Sequence, residues 1–348
     1  MIIQSIKYKF ICCASLLAAL MSCAKESEME PFKYLDLIPS HFPIPNIHPD
    51  SFPSQEKIDL GRKLFYDVRL SKNNTISCAS CHHQSLAFSD SLAFSFGDNK
   101  AIGSRNAPSL ANVVYHNKLL REGSLPTLEM QVLVPIQEHN EFNSNILEIS
   151  NKLNEIFEYR QMSQKAFGSE LTPFAVTRSI AAFERILISG QSKYDDFING
   201  KTNLSSLELK GKELFFSDRT NCSSCHGTFL FTNQTFENNG LYVSYNDNGR
   251  ERFTLDPSDN GRFKVPSLRN VALTAPYMHD GSINSLEQVI EHYSSGGKPH
   301  PNKSQLIKSI SLSQDEKSAL IAFLNTLTDY NFINNKILTI FDWTLFNI

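Results

Sequence analysis

Two five-residue stretches constrain this chain more than any other feature. They are Cys78-Ala79-Ser80-Cys81-His82 and Cys222-Ser223-Ser224-Cys225-His226. Cys-x-x-Cys-His is the attachment signature of c-type haem. Two thiols three positions apart reach the two vinyl groups of one porphyrin as thioethers, and the adjacent histidine lies under the iron. With 7 Cys and 10 His in 348 residues, one such match is expected about 0.004 times by chance, and two far less often. The rivals are a four-cysteine zinc site and a redox-active Cys-x-x-Cys pair, and neither requires a histidine after both pairs. The sequence therefore predicts two haem c groups, on Cys78 and Cys81 and on Cys222 and Cys225. His82 and His226 are the proximal iron ligands.

The other three cysteines lie near the N-terminus. Lys7 and Lys9 precede the apolar run "FICCASLLAALMSC", which is too short to span a membrane convincingly and reads as a signal peptide. It ends in Leu20-Met21-Ser22-Cys23, which resembles a bacterial lipobox. On that reading residues 1–22 are removed, Cys23 carries lipid, and residues 23–51 form a tether. The alternative is a plain secretory signal. Both lead to the bacterial cell envelope, in the periplasm or anchored at the outer membrane, and haem c is attached outside the cytosol. A net charge of -3 argues against a nucleic-acid partner, which needs a basic face.

The chain repeats itself. "IDLGRKLFYD" (58–67) precedes the first haem motif and "LELKGKELFFSD" (207–218) the second, aligning Gly61, Leu64 and Phe65 with Gly211, Leu214 and Phe215. Beyond the motifs a constant offset of 158 relates "PSLANV" (108–113) to "PSLRNV" (266–271), and "GSLPTLE" (123–129) to "GSINSLE" (281–287). The fold class expected is mainly α, with two cytochrome c-like haem domains at 52–165 and 206–330. Residues 166–205 form an interdomain helical segment, whose "TPFAVTRSIAAFERIL" reads as a helix with Thr172 as N-cap and Pro173 in its first turn. Residues 331–348 form a tail with the only tryptophan, Trp343, and two roles stand open for it: packing on the domain or building a homodimer. The same offset pairs Pro135 with Tyr293. Proline has no atom to offer iron and a phenol does, so two like haems would have unlike sixth positions, one open and one closed.

In these motifs the sequence resembles the di-haem cytochrome c peroxidase/MauG family from about Phe52 to Thr328. The segments that carry the resemblance are the two Cys-x-x-Cys-His motifs, "GSRNAPSLANV", "LEMQVLVPIQEHNEF" and "VPSLRNVALTAPYMHDGSINSLEQVIEHY". It implies that the N-terminal haem cleaves peroxide and the C-terminal haem handles electrons. It implies a peroxide pocket of Gln131, Pro135 and Glu141, with Glu141 as acid/base. It also implies a calcium ion between the haems, held by Asn106 and by the carbonyls of Thr274 and Pro276.

Three positions depart from the family pattern. Many members close the N-terminal haem with a histidine from the following loop, but residues 84–105 contain none and Asp98 stands there. The peroxide haem is then expected to be open without prior reduction. Standard peroxidases place methionine at Tyr293, whereas MauG has tyrosine. An anionic oxygen ligand stabilises ferric iron and lowers the potential. Arg121 replaces the tryptophan that relays electrons between the haems; an arginine cannot be oxidised, and it is expected to hold haem propionates or a redox partner. His116, His139, His279 and His300 are substitute ligands of lower standing. Among them His139 is close enough in sequence to Glu141 to reach the pocket, and His279 is expected at a propionate or loop backbone.

The leading expectation is a peroxidase that reduces hydrogen peroxide with electrons from a small c-type cytochrome or another periplasmic donor. The alternatives are a MauG-like oxidase acting on a protein or organic substrate, and an electron-transfer cytochrome without turnover.

Overall fold

Each haem motif is entered from an amphipathic helix, as the periodicity predicts, and each of these helices is crossed by a second. The structure, a computed structural model, describes residues 33–340; the apolar leader, Cys23 and Trp343 lie outside the described residues. The helices that frame the site are, in chain order, α1 (Gln55–Phe65), α2 (Leu128–Gln131), α3 (Leu133–Gln137), α4 (Pro173–Arg185), α5 (Ser206–Phe215), α6 (Leu286–Ser295) and α7 (Gln314–Asn325). The one paired sheet among the described residues is β1 (Phe236–Glu237) antiparallel to β2 (Phe263–Lys264), with Phe236 opposite Lys264. No helix of the described residues is long and apolar enough to cross a membrane.

Serine or threonine caps each of these helices except α3, which follows Val132 directly. The Thr172 hydroxyl accepts from the Ala175 N–H at 3.2 Å, with Pro173 in the first turn. Ser205 with Glu208 and Ser313 with Glu316 form capping boxes, which satisfy N–H groups that have no partner inside the helix. α1 crosses α4 at Gly61, where a Cβ would lie 1.8 Å from the Ser179 carbonyl oxygen. α5 crosses α7 at Gly211, where a Cβ would lie 1.9 Å from the Ala319 oxygen. A mid-helix glycine costs up to about 1 kcal/mol in helix propensity; here it lets two backbones touch.

Three phenylalanines fill each crossing. Phe65, Phe88 and Phe183 have ring centroids 6.0, 5.1 and 6.5 Å apart. Phe215, Phe231 and Phe323 repeat the arrangement at 5.9, 5.2 and 6.2 Å. The second register is kept in the backbone as well. Asn112 and Asn270 both have φ of 62°, and Gly123 and Gly281 are both left-handed. The bridge Leu119–Leu125 recurs as Tyr277–Ile283, and Thr127 and Ser285 cap α2 and α6.

Three boundaries read from the sequence shift. The helix assigned to the joint, α4, packs on α1 as α7 packs on α5, so it closes the N-terminal haem domain. The expected tether is partly folded: Tyr34 and Phe42 are buried. Phe42 meets Phe229 at 4.8 Å and lies under the Arg269 guanidinium at 4.6 Å, while Arg269 is paired with buried Asp195 at 2.8 and 2.9 Å. The start of the tail docks on the N-terminal domain. Phe332 is buried against Phe88 at 5.5 Å, and the Ile337 and Leu338 carbonyls accept from Arg62 and Tyr66 at 2.6 and 2.7 Å. Aromatic anchors hold both segments down, and such side chains have too much apolar surface to leave in water. From Tyr34 onward the described chain forms one compact unit.

Candidate functional site

One cavity of about 620 Å³ is lined by Cys78, Cys81 and His82 and also by Cys222, Cys225 and His226. None of the four cysteines is in a disulfide. Burial pushes all four up, Cys81 and Cys225 to about 11, the reverse of the lowered pKa that a redox-active thiol needs. Among the described residues no three His, Cys, Asp or Glu side chains converge to hold a metal ion.

The residues fit haem c. His82 Nδ1 donates to the Phe88 carbonyl at 2.8 Å, and His226 Nδ1 donates to the Phe231 carbonyl at 2.7 Å. The Pro108 and Pro266 carbonyls, at the start of the two repeated PSL segments, lie against the same rings. A carbonyl can only accept, so in both rings the proton sits on Nδ1 and Nε2 keeps its lone pair, the tautomer an iron ligand requires. Burial holds both imidazoles neutral, lowering His82 and taking His226 to about 4. The aromatic triads thus do more than pack, because Phe88 and Phe231 supply the acceptors that orient the ligands.

The peroxide residues come together on one wall. Gln131, Pro135, Glu138 and Glu141 all line the cavity. Pro135 has no N–H to give the Gln131 carbonyl, and the helical run breaks there into α2 and α3. In the second repeat nothing interrupts α6, which carries Tyr293 onto the cavity wall. Glu141 is held through its backbone: its carbonyl accepts from the Asp98 N–H at 2.7 Å, and its N–H donates to Glu138 at 3.0 Å. Burial, then the Glu138 carboxylate, raises the Glu141 carboxyl to about 7. Asp98, standing where many relatives have the extra histidine, is buried and accepts from Asn73 and Thr75. It shapes the loop and does not line the cavity.

Burial raises the Tyr293 phenol, which the Asn239 side chain offsets in part and the nearby Cys225 and Cys222 reinforce. His279 stacks on Phe263 at 4.0 Å, and its carbonyl accepts from the Asn106 N–H. His139 is exposed, bonds to Asn143 and does not line the cavity, so it does not reach the pocket. His300 Nδ1 is held by Asn238 at 3.1 Å. His116 lines the cavity, with Lys264 Nζ 3.3 Å from its Nδ1.

The calcium residues fit their ion poorly. Asn106, Thr274 and Pro276 do line one cavity, but both oxygens of Asn106 are engaged. Arg121 Nη2 donates to Asn106 Oδ1 at 2.7 Å, and Nε donates to its carbonyl at 2.9 Å. Arg121 is half-buried on the cavity wall, with its guanidinium turned onto Asn106.

Sequence reading missed two ionisable groups on the cavity wall, one of them buried. Glu184 on α4 is raised by burial to about 8 and its Oε2 has no partner. Lys264 on β2 is lowered to about 8 by burial and by Arg121. Neither sits in a motif; Glu184 reads locally as the polar edge of a helix.

A model of the di-haem cytochrome c peroxidase family matches residues 55–203, and a cytochrome c model matches 209–328. The chain is 35% identical over 285 residues to methylamine utilization protein MauG of Methylorubrum extorquens, covering 80% of each. It is 34% identical over 293 residues to cytochrome c551 peroxidase of Nitrosomonas europaea, covering 82% of this chain and 83% of that protein. Among solved structures, a MauG-like protein associated with microbial copper homeostasis is similar at 37% identity and a TM-score of 0.84, covering 87% of this chain and 97% of that one.

Proposed function

This chain belongs to the di-haem cytochrome c peroxidase/MauG family, and from that premise we propose that it reduces hydrogen peroxide to water with electrons from a c-type cytochrome or similar periplasmic donor. It is a mainly α oxidoreductase with two haem c sites. The observation that carries the peroxide reading is the wall of Gln131, Pro135 and Glu141 in the cavity that holds His82. The haem at His82, when bound, supplies the reducing equivalents for O–O cleavage. Peroxide takes up two electrons and two protons and leaves as two waters. Glu141 is the group to lift the proton from one peroxide oxygen and return it to the other, and burial has moved its carboxyl to about 7, the range suited to proton transfer in either direction. The Gln131 amide can donate to a bound peroxide oxygen, and Pro135 contributes no competing ligand. Calcium is left out of this reading, because the Asn106 oxygen expected to hold it is already engaged. Export and anchoring at Cys23 in the cell envelope accord with haem c attachment outside the cytosol.

The test is turnover of hydrogen peroxide with a reduced c-type cytochrome. We expect two equivalents of cytochrome oxidised per peroxide, and loss of most of that rate in Glu141→Gln. Undiminished turnover in that variant would remove Glu141 from the reaction.

Tyr293 favours one second reading, MauG-like oxidation of a protein or organic substrate. A phenolate on the C-terminal haem would stabilise ferric iron and make that haem a poor acceptor from a high-potential cytochrome. Peroxide consumption without cytochrome oxidation would select this reading over the first.

A further inference from the structure

We propose that the Arg121 guanidinium takes the place of calcium between the two haem sites, so that this chain joins its haem domains without a metal ion. Four contacts carry the inference. Arg121 Nη2 donates to Asn106 Oδ1 at 2.7 Å, and Nε donates to the Asn106 carbonyl at 2.9 Å. The Lys264 N–H of β2 donates to the Arg121 carbonyl at 2.7 Å, and the Asn106 N–H donates to the His279 carbonyl at 2.9 Å. One residue thereby ties the loop after the first haem motif to the sheet of the second domain, the bridging task that a shared cation performs.

The other end of the Asn106 amide is engaged as well: its Nδ2 donates to the Leu92 carbonyl at 3.0 Å, which fixes Oδ1 toward Arg121. Calcium takes oxygen ligands at about 2.4 Å, so an ion on Oδ1 would stand against the guanidinium already bound there. The charge around the site points the same way. Asn106, Thr274 and Pro276 offer only neutral oxygens, while Lys264 and Arg105 add positive charge beside Arg121. The nearby carboxylates have partners: Glu122 and Asp247 hold Arg105, and Asp280 accepts from the Tyr242 hydroxyl at 2.6 Å. Calcium affinity depends on ligand charge, and an arginine is a cation that cannot dissociate.

The test uses the haem-loaded full chain and reads metal content, so its failure is separate from failure of the peroxide reading. Calcium is measured by plasma emission before and after dialysis against EGTA, alongside ferric EPR and visible spectra. We expect no stoichiometric calcium and unchanged spectra. One calcium per chain, or spectra that EGTA alters and calcium restores, would overturn the proposal. Arg121→Gln removes the cation and frees Asn106 Oδ1; its thermal midpoint is expected to fall and to rise again with millimolar calcium. Arg121→Lys keeps a charge and is expected to stay indifferent to calcium. An Arg121→Gln protein no more responsive than the parent would also overturn the proposal; if it does not fold, the calcium content of the parent still decides.

Discussion

At Glu141, burial and a neighbouring carboxylate hold the side chain near 7, and both reactivity and stability inherit that value. As a proton acceptor it must be ionised. Peroxide kcat/KM is therefore expected to rise with pH through about 7 and then level off. Glu141→Gln should flatten this limb and lower kcat/KM by about 10²- to 10⁴-fold, the usual worth of a placed acid/base; a stopped-flow pH series checks both. The stability effect has the opposite sign. A carboxyl raised above its ordinary value of 4.5 contributes stability at low pH that is lost as pH rises through about 7. Glu141→Gln should thus lose less of its thermal midpoint between pH 5 and pH 8 than the parent does, which differential scanning over that range would read. At Tyr293, removal of the phenol oxygen in Tyr293→Phe is expected to change the visible and EPR spectra of the C-terminal haem and leave those of the N-terminal haem unaltered. An unchanged pair of spectra would make Tyr293 a packing residue.

The helix crossings set the tolerances at the scale of elements. Alanine at Gly61 gains up to about 1 kcal/mol of helix propensity, but its Cβ would meet a backbone oxygen that cannot move aside. Overpacking of this kind costs about 1–3 kcal/mol, so Gly61→Ala is expected to be destabilising in urea, and Gly211→Ala equally so. A stabilised variant would mean that the helices do not cross this closely. Equivalence between the two substitutions would be the energetic counterpart of the repeat. The contrast between the broken α2–α3 run and the continuous α6 is also an effect at this scale, since a single proline decides whether the helix continues.

Over the whole molecule, the chain closes on itself at both ends. Phe42 is wedged against Phe229 and Arg269 of the second domain, and residues 330–340 return to the first. Phe332 packs on Phe88, whose carbonyl orients His82. Loss of a buried phenylalanine costs about 3–5 kcal/mol, so Phe332→Ala is expected to lower stability by that order. It should also disturb the spectrum of the N-terminal haem, although the residue lies beyond the second haem domain. A disturbance confined to the C-terminal haem would contradict this docking.

What the sequence determined by itself is the chemistry that acts over a few positions. The spacing of two thiols and a histidine specifies haem attachment, a 3.6-residue period specifies α1 and α5, and a constant offset places Tyr293 opposite Pro135. The offset is kept in caps, bridges and left-handed residues because each depends on its immediate neighbours. Tertiary structure alone decided which carbonyls orient His82 and His226, that α4 belongs to the first haem domain, and that Glu184 is a buried acid. It alone showed that Arg121 donates to both oxygens of Asn106. Burial and long-range pairing are properties of segments brought together by packing, and no local pattern in the chain records which segments will meet.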